Sequence, residues 1–254
     1  MMLSAHGVTD TGRVRTTNED ALFWDVGLGL FVIADGMGGH NAGEVASQLC
    51  VEVVREFIAK SETDTEATMP YGVNAQLSQE GNRVATALKL ANATVFATSQ
   101  ANPSYSGMGT TAAVAVIRDG RLTFAGIGDS RIYSWLNGEL TQLTQDDSWV
   151  ERMKLEHPGI SQAALDSTPL RHVLTNVIGA NPDTVVRVQE RRLEDGEVLV
   201  ICSDGLYGPL DGAPLAALMA EPASLEQKAQ KLLLSALDAG SRDNATVLLV
   251  QFRS

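Results

Sequence analysis

Short apolar runs separated by tight-turn residues dominate the middle of the chain. Runs of about four to eight aliphatic, β-branched and aromatic residues that are joined by Asp-Gly or Asn-Gly are typical of strands that return through a two-residue turn. The sequence therefore predicts three antiparallel hairpins, formed by residues 112–117 with 122–125, 132–136 with 140–143, and 185–193 with 198–201.

Helical spacing of apolar residues appears in three segments, residues 42–58, 84–97 and 225–237. In the first of them Val45, Leu49 and Val53 form an amphipathic stripe. The polar stretch 61–68 is interpreted as a solvated loop. Residues 146–180 show only a weak pattern, and we expect a mobile flap there.

Apolar sheet faces must be covered by another layer. We therefore expect an α+β fold in which two antiparallel sheets pack face to face and the helices lie outside, an α-β-β-α sandwich. The sequence contains no linker, repeat or low-complexity tract, so residues 1–254 are predicted to form a single domain with a flap at about 146–180.

Aspartates stand at the ends of four apolar strand-like runs: Asp35, Asp129, Asp204 and Asp243. If these strands share one sheet and the last runs opposite to the other three, the four carboxylates gather at a single rim. Carboxylates, carbonyl oxygens and water are the ligands that Mg²⁺ and Mn²⁺ take. The chain is therefore interpreted first as a metal-dependent enzyme.

Other aspartates in the sequence are interpreted as turn residues, because Asp followed by Gly usually forms a turn. Asp119 and Asp195 stand between the strands of predicted hairpins, and Asp211 is expected to end a short loop. Asp35 and Asp204 also precede glycine, but no second strand follows them at hairpin distance.

Composition limits the partners that the chain can have. The formal net charge of -12 argues against nucleic acid or an anionic membrane, because both need a basic face. Cys50 and Cys202 are expected to be buried, reduced thiols of a cytosolic protein. Neither a signal peptide nor a bilayer-length apolar run is present. The sequence thus predicts a cytoplasmic protein, and its acidic surface favours a monomer.

Five short motifs occur in a fixed order along the chain, at residues 15–20 (RTTNED), 34–40 (ADGMGGH), 128–131 (GDSR), 203–205 (SDG) and 242–246 (RDNAT). Together they resemble the motif set of the PP2C, or PPM, family of metal-dependent protein serine/threonine phosphatases, and most closely its bacterial members. The resemblance covers almost the whole chain. It implies hydrolysis of phosphoserine and phosphothreonine by direct attack of a water that bridges two metal ions.

The resemblance also implies the ligands of two core Mn²⁺ or Mg²⁺ ions. Asp35 bridges both ions, and the carbonyl of Gly36 binds one of them. Asp204 and Asp243 complete the coordination of the first ion, whereas Glu19 faces the second ion mostly through water.

Two further carboxylates are implied around this centre. Asp20 supports the water shell of the second ion, and Asp129 helps to hold a weaker third ion. From the residues alone, the GDSR motif could also be a bend that hydrogen-bonds its own backbone.

The remaining catalytic residues implied by the resemblance are Arg15, which binds the phosphate, and His40, the general acid for the leaving oxygen. Arg13 is interpreted as a solvated arginine that, on an extended strand, would project to the same side as Arg15. The histidines without ligand spacing are interpreted as structural: His6, His157 and His172.

Other phosphatase chemistries lack their motifs here, since no arginine follows either cysteine at the loop spacing and no Gly-x-Ser-x-Gly or Walker motif is present. Two alternatives remain open. One is a catalytically weak regulator that binds phosphoproteins, although that reading predicts the loss of a metal ligand. The other is a hydrolase of small phosphate esters. The same two-ion site would cleave small esters and phosphoproteins, and only the groove and the flap would distinguish the two kinds of substrate. Residues 153–158 depart from the family pattern in the flap, so the substrate is left open.

Overall fold

The computed structural model describes residues 2–39, 42–63 and 69–254. Strands β1 to β11 of this part of the chain are Met2–Asp10, Asp20–Asp25, Leu30–Met37, Gly109–Thr110, Ala112–Arg118, Arg121–Ile127, Arg131–Leu136, Glu139–Gln142, Val188–Arg192, Val198–Cys202 and Ala245–Arg253. Helices α1 to α7 are Ala42–Thr63, Gln79–Ala101, Trp149–Glu156, Gln162–Ser167, Asp204–Leu210, Ala213–Ala220 and Leu225–Asp238, and a 3₁₀ helix covers Pro103–Tyr105.

The strands form two antiparallel sheets that pack face to face. The first has the order β1-β11-β10-β7-β8, and the second has the order β2-β3-β5-β6-β9 with β4 beside β3. Successive side chains of a strand point to opposite faces. Along β3, Leu30 and Val32 therefore pack with α1 and α2, whereas Phe31 and Ile33 pack against the first sheet. Helices α5, α6 and α7 cover the outer face of the first sheet. The predicted α-β-β-α sandwich is confirmed.

Two of the three predicted hairpins are present, since β5 pairs with β6 and β7 pairs with β8. Their turn residues Asp119 and Asn137 adopt φ angles of 47° and 52°, as such turns require. The third predicted hairpin is wrong. Strand β9 pairs with β6 in the second sheet, whereas β10 pairs with β7 and β11 in the first. The Asp195-Gly196 turn thus carries the chain from one sheet to the other.

Several elements extend beyond their predicted limits. Strand β1 was not predicted, and it pairs along its whole length with β11. Helix α2 starts earlier than its apolar stripe, because the Ser78 hydroxyl accepts a hydrogen bond from the Gly81 N–H at 3.0 Å and caps the helix. Ser61, predicted to lie in a solvated loop, is buried within α1. The rest of that predicted loop, residues 64–68, lies outside the described residues.

Residues 146–180 contain the two short helices α3 and α4 rather than strands. One isolated β-bridge joins Ser148 to Leu174 within this segment, and another joins Ile178 of the segment to Thr110 of β4. Both cysteines of the chain are free and buried, as predicted, and burial raises the pKa of Cys50 to about 12. None of the helices in the described part of the chain combines the length and the apolar character needed to cross a bilayer.

Candidate active site

A cleft of about 370 Å³ opens where strand ends of the two sheets meet. The prediction that the four aspartates share one sheet is wrong, because Asp35 and Asp129 lie on or beside strands of the second sheet, and Asp204 and Asp243 lie beside strands of the first. The carboxylates nevertheless converge, because both sheets contribute strand ends to the same side of the sandwich. The predicted site residues that line the cleft are Arg15, Glu19, Asp35, Gly36, Asp129, Asp204 and Asp243.

Asp35 is held in place through its backbone. It lies near the end of β3 and opposite Asp20 of β2. Its N–H donates to the Thr111 hydroxyl at 3.0 Å, and its carbonyl accepts from the Thr111 N–H at 2.8 Å and from the Thr110 hydroxyl at 2.9 Å. These contacts fix the main chain without using the carboxylate.

Asp204 and Asp243 meet because β10 and β11 are antiparallel and pair up to Cys202 and Val247. Asp204 follows the end of β10, and Asp243 precedes the start of β11. The backbones approach so closely that a Cβ atom on Gly205 would lie 1.9 Å from the Asn244 carbonyl oxygen. Glycine is therefore required beside Asp204.

Glu19 and Gly36 form a second close backbone contact. The Gly36 N–H donates to the Glu19 carbonyl at 3.1 Å, and a Cβ atom on Gly36 would lie 2.0 Å from the Gly43 carbonyl oxygen. The Glu19 N–H donates to the Asn244 side-chain oxygen at 2.8 Å. The chain entering β2 is thus fixed against β3 and against the loop before β11.

Asp20 differs from the other predicted ligands in its position. Its Oδ2 accepts hydrogen bonds from the hydroxyls of Ser203 at 2.8 Å and Thr246 at 2.5 Å. Asp20 is not among the residues that line the main cleft, and it borders a neighbouring cavity between β2 and α1. Burial raises the pKa of Asp20 to about 6, while the two hydroxyl donors oppose that shift.

The electrostatics of the cleft show an excess of negative charge. Burial raises the pKa of Asp35 well above its usual value, and the carboxylates of Asp20 and Asp204 raise it further. Burial, reinforced by Asp204, raises the pKa of Asp129 to about 7. Burial also raises the pKa of Glu19 and of Asp204. Since a nearby cation favours the charged form of a carboxylate, bound cations would offset all of these shifts.

Four buried carboxylate oxygens of the described residues have no hydrogen-bond partner. Glu80 Oε1 lies on α2, and the other three belong to predicted metal-site residues: Glu19 Oε1, Asp20 Oδ1 and Asp204 Oδ1. Such atoms are costly unless an ion or water satisfies them. In the described part of the chain no three acidic, histidine or cysteine side chains form a compact ligand set. An ion here would therefore take part of its coordination from carbonyl oxygens and water, as Mg²⁺ commonly does. The oxygen-only donor set fits Mg²⁺ or Mn²⁺.

Arg13 and Arg15 lie in an irregular loop between β1 and β2. The prediction that they share one side of an extended strand is therefore wrong. Arg13 forms an exposed ion pair with Asp238 at the end of α7. Arg15 instead lines the cleft, where its Nη2 donates to Asp243 Oδ2 at 2.7 Å. Arg15 therefore lies in the cleft, and Arg13 lies at the exposed end of α7.

The histidines of the chain occupy different environments. His40 lies outside the described residues, so its predicted role as general acid is untested. His6 lies in β1, and His157 follows the end of α3. His172, predicted to be structural, lines the cleft instead, and its Nε2 accepts from the Arg171 Nε–H at 2.8 Å. The spacing of residues around His172 could not predict this position, because segment 146–180 is brought to the cleft by the tertiary fold.

Arg131, the last residue of the GDSR motif, is the centre of a polar cluster that the sequence interpretation did not predict. Its guanidinium donates to both carboxylate oxygens of Asp146 at 2.9 to 3.2 Å and to Asp211 Oδ2 at 3.0 Å. It also donates to the Tyr133 hydroxyl at 2.7 Å and lies 3.7 Å from the ring centroid of Tyr207. Asp211, interpreted as a turn residue, is thus also an ion-pair partner. The cluster joins β7, the start of segment 146–180 and α5.

Several known proteins are similar to this chain in sequence. The sequence model of protein phosphatase 2C matches residues 11–239. The serine/threonine protein phosphatase PstP of Mycobacterium tuberculosis is 33% identical over 243 residues, which cover 95% of this chain but 43% of the relative. The chain therefore spans less than half the length of that relative. A putative protein phosphatase 2C-type of Streptococcus pyogenes is 32% identical, over 97% of this chain and 96% of the relative.

Solved structures agree with the sequence comparisons. The crystal structure of the catalytic domain of PstP in complex with two manganese ions matches with a TM-score of 0.82 at 28% identity and covers 99% of both chains. Since the family model spans most of the sequence and the same fold recurs in a solved member, this chain belongs to the protein phosphatase 2C family.

Proposed function

We propose that this protein is a manganese- or magnesium-dependent phosphatase that hydrolyses phosphoserine and phosphothreonine in proteins. The observation that carries the proposal is the cleft in which five carboxylates and Arg15 converge. The buried, unpartnered oxygens of Glu19 and Asp204 support a role in metal binding. The names of the relatives, and the two manganese ions in the PstP structure, support the activity and the metal.

In this proposal each predicted ligand has a separate task. Asp35 would contact both ions, and the Gly36 carbonyl would bind one of them. Asp204 and Asp243 would complete the coordination of the first ion, and Glu19 would approach the second mostly through water. Asp20 would orient the water around the second ion, and Asp129 would hold a weaker third ion. Bound ions supply positive charge and lower the pKa of water in the cleft, so that no side chain has to act as the nucleophile.

Arg15 would bind the phosphate of the substrate. Its planar guanidinium can donate to two phosphate oxygens at once, and its side chain is half-exposed at the edge of the cleft. The ion pair with Asp243 holds the guanidinium beside the carboxylates of the cleft. A phosphate bound there would lie between the ions and the arginine.

The two alternatives make different predictions for turnover. A regulator without activity is disfavoured, because Glu19, Asp35, Asp204 and Asp243 are all in the cleft. The proposed function predicts Mn²⁺-dependent release of phosphate from a phosphothreonine peptide, with a higher kcat/KM than for a small aryl phosphate. Equal or better turnover of the aryl phosphate would favour a hydrolase of small esters. Absence of turnover of both substrates would favour the regulator.

The two arginines provide a matched test of phosphate binding. Arg15→Ala is expected to raise KM for a phosphothreonine peptide by about tenfold or more, because it removes charge-assisted hydrogen bonds to the phosphate. Arg13→Ala removes only an exposed ion pair and should change KM by less than about twofold. Steady-state kinetics of both variants measure the difference, and the reverse ranking would show that Arg13 binds the phosphate.

Like the roles of the individual site residues, four further features of this proposal stay predictions. They are the role of His40 as general acid, the single domain over residues 1–254 with a flap at about 146–180, the monomeric state and the cytoplasmic location. Nucleic acid is not expected as a partner, given the net charge of -12. The buried, free thiols of Cys50 and Cys202 are in keeping with a reducing compartment.

A further inference from the structure

A second open cleft, of about 330 Å³, adjoins the candidate active site. It shares Asp204 and Asp243 with the main cleft, so the two are continuous across these carboxylates. Its walls are α5, which contributes Gly208, and the loop from α7 to β11, which contributes Gly240 and Arg242. Nothing in the proposed chemistry uses this second cleft.

Two glycines line the second cleft, and the structural reason for a glycine differs between the two positions. Gly240 adopts a φ of +94°, so the turn after α7 itself requires glycine. Gly208 lies within α5 without a positive φ, and a Cβ atom added there would meet no atom within 4 Å. Glycine is a poor helix former, and neither the backbone nor the packing requires it at position 208. What Gly208 supplies is therefore the open space of the cleft.

The walls of the cleft are fixed relative to the metal-site candidates. The Ser241 hydroxyl is buried and donates to the Gly205 carbonyl at 2.7 Å, which ties the loop to the start of α5. Arg242, the next residue, is exposed, and its guanidinium forms no ion pair with the part of the chain that the structure describes. The lining of the second cleft thus includes the two shared carboxylates and one cationic side chain, that of Arg242.

We propose that this second cleft binds the polypeptide of the substrate on one side of the phosphorylated residue, and that Arg242 selects an acidic residue there. This inference rests on the proposed function. A phosphoryl group placed between Arg15 and the shared carboxylates leaves its polypeptide to continue along the protein surface, and the adjoining cleft offers space for it. Arg242 adds charge complementarity to an acidic side chain, on a protein whose net charge of -12 otherwise repels acidic segments.

The size of the residue at position 208 tests whether the second cleft binds the polypeptide of the substrate. Gly208→Ala and Gly208→Leu are expected to raise KM for a phosphothreonine peptide progressively, by about twofold and about tenfold, because they fill the cleft without disturbing the shared carboxylates. The readout is the ratio of kcat/KM for the peptide to kcat/KM for a small aryl phosphate, which is too short to reach the cleft. The alanine variant should fold, since alanine favours helices, and thermal melting checks both variants.

Charge exchange tests the second part. Two phosphothreonine peptides that differ only in having glutamates or alanines on both sides of the phosphothreonine would be compared with Mn²⁺ present. Arg242→Ala should lower the preference for the acidic peptide by about threefold and Arg242→Glu by about tenfold. The kcat/KM for a peptide with lysines on both sides of the phosphothreonine should rise in Arg242→Glu. The matched control is Arg253→Glu, an exposed arginine at the far end of β11 from Asp243, which should leave the preference unchanged.

Each outcome has a distinct meaning. If the wild-type protein hydrolyses the peptides but the Gly208 and Arg242 variants keep all ratios unchanged, the second cleft is not the peptide site and this inference is overturned. Equal loss of aryl phosphate and peptide turnover in Gly208→Ala would likewise overturn it, because the cleft would then act on the centre itself. If the wild-type protein hydrolyses none of the substrates, the proposed function fails, and this inference fails with it.

Discussion

Asp35→Asn is expected to lower kcat/KM for a phosphothreonine peptide by about 10³-fold or more, which corresponds to about 4 kcal/mol of transition-state stabilisation. Asparagine has nearly the same shape as aspartate, and the backbone of residue 35 is held by Thr110 and Thr111 independently of the side chain. The substitution therefore removes one negative charge and one metal-binding oxygen and leaves the fold intact. Steady-state kinetics at saturating Mn²⁺ measure the loss.

The matched control for this prediction is Asp119→Asn. Asp119 is also followed by glycine, but it forms the turn between β5 and β6 with a φ of 47°, a conformation that asparagine tolerates. It should therefore keep wild-type activity. Chelation of divalent ions should abolish wild-type turnover, and added Mn²⁺ should restore it. Near-normal turnover of Asp35→Asn, or full activity after chelation, would contradict the assignment of the cleft as a metal centre.

A second readout of the same variant does not depend on activity. Burial raises the pKa of Asp35, and repulsion from the carboxylates of Asp20 and Asp204 raises it further, so the charged group destabilises the protein when no cation is bound. Asp35→Asn is therefore expected to raise the melting temperature of the metal-free protein and to reduce the further rise on adding Mn²⁺. A larger Mn²⁺-induced shift in the variant than in the wild type would place the ion elsewhere.

The elements predicted correctly from the sequence are those whose signals are local. The turns at Asp119 and Asn137 each join strands that pair with each other, so a two-residue signal was enough. The turn at Asp195 has the same local chemistry but joins strands of different sheets. Strand β1 was missed because its partner is β11, at the other end of the chain. Pairings of that kind depend on tertiary packing, which local patterns do not encode.

The candidate site divides in the same way. Asp35, Asp129, Asp204 and Asp243 were found because each stands at the end of an apolar run, whereas Glu19 and Asp20 were found only through the resemblance to a known family. The placement of the four aspartates in one sheet was wrong, because an end of a strand looks the same whichever sheet the strand joins. Arg131, its partner Asp146 and the cleft residue His172 were missed, since their contacts depend on how segment 146–180 folds back over the strand ends. Their residue types alone carry no such information.

The crossover between the sheets is held by a buried ion pair that no sequence pattern indicated. Glu197, just before β10, has a fully buried side chain and pairs with Arg191 of β9. Its carboxylate also accepts from the Ser134 hydroxyl of β7 at 2.6 Å and from the Glu194 N–H at 3.0 Å. Burial alone would raise the pKa of Glu197, but the hydrogen bonds from Arg191 and Ser134 hold it below its usual value. The pair thus links the two sheets at the turn where the third predicted hairpin fails.

Arg191→Met is expected to lower the free energy of unfolding at neutral pH by about 3 to 5 kcal/mol, because it leaves the buried Glu197 carboxylate without its cation. Methionine keeps much of the apolar part of the arginine side chain, so the loss of stability comes from the missing charge rather than from lost packing. Chemical denaturation measures it. Arg192→Met is the matched control, because Arg192 is exposed on the same strand and should cost less than about 0.5 kcal/mol.

The pH dependence of this loss separates an unpaired charge from a packing defect. In the wild type the lowered pKa of Glu197 contributes stability that is present above the usual glutamate pKa and is lost as the pH falls through the lowered value. In Arg191→Met the uncompensated carboxylate takes up a proton at higher pH than in the wild type, so the difference in unfolding free energy should shrink on acidification. The double variant Arg191→Met with Glu197→Leu should recover part of the stability at neutral pH, because no buried charge remains. A loss that is independent of pH, and that the double variant does not relieve, would mean that Arg191 contributes by packing and that the crossover is not held by the ion pair.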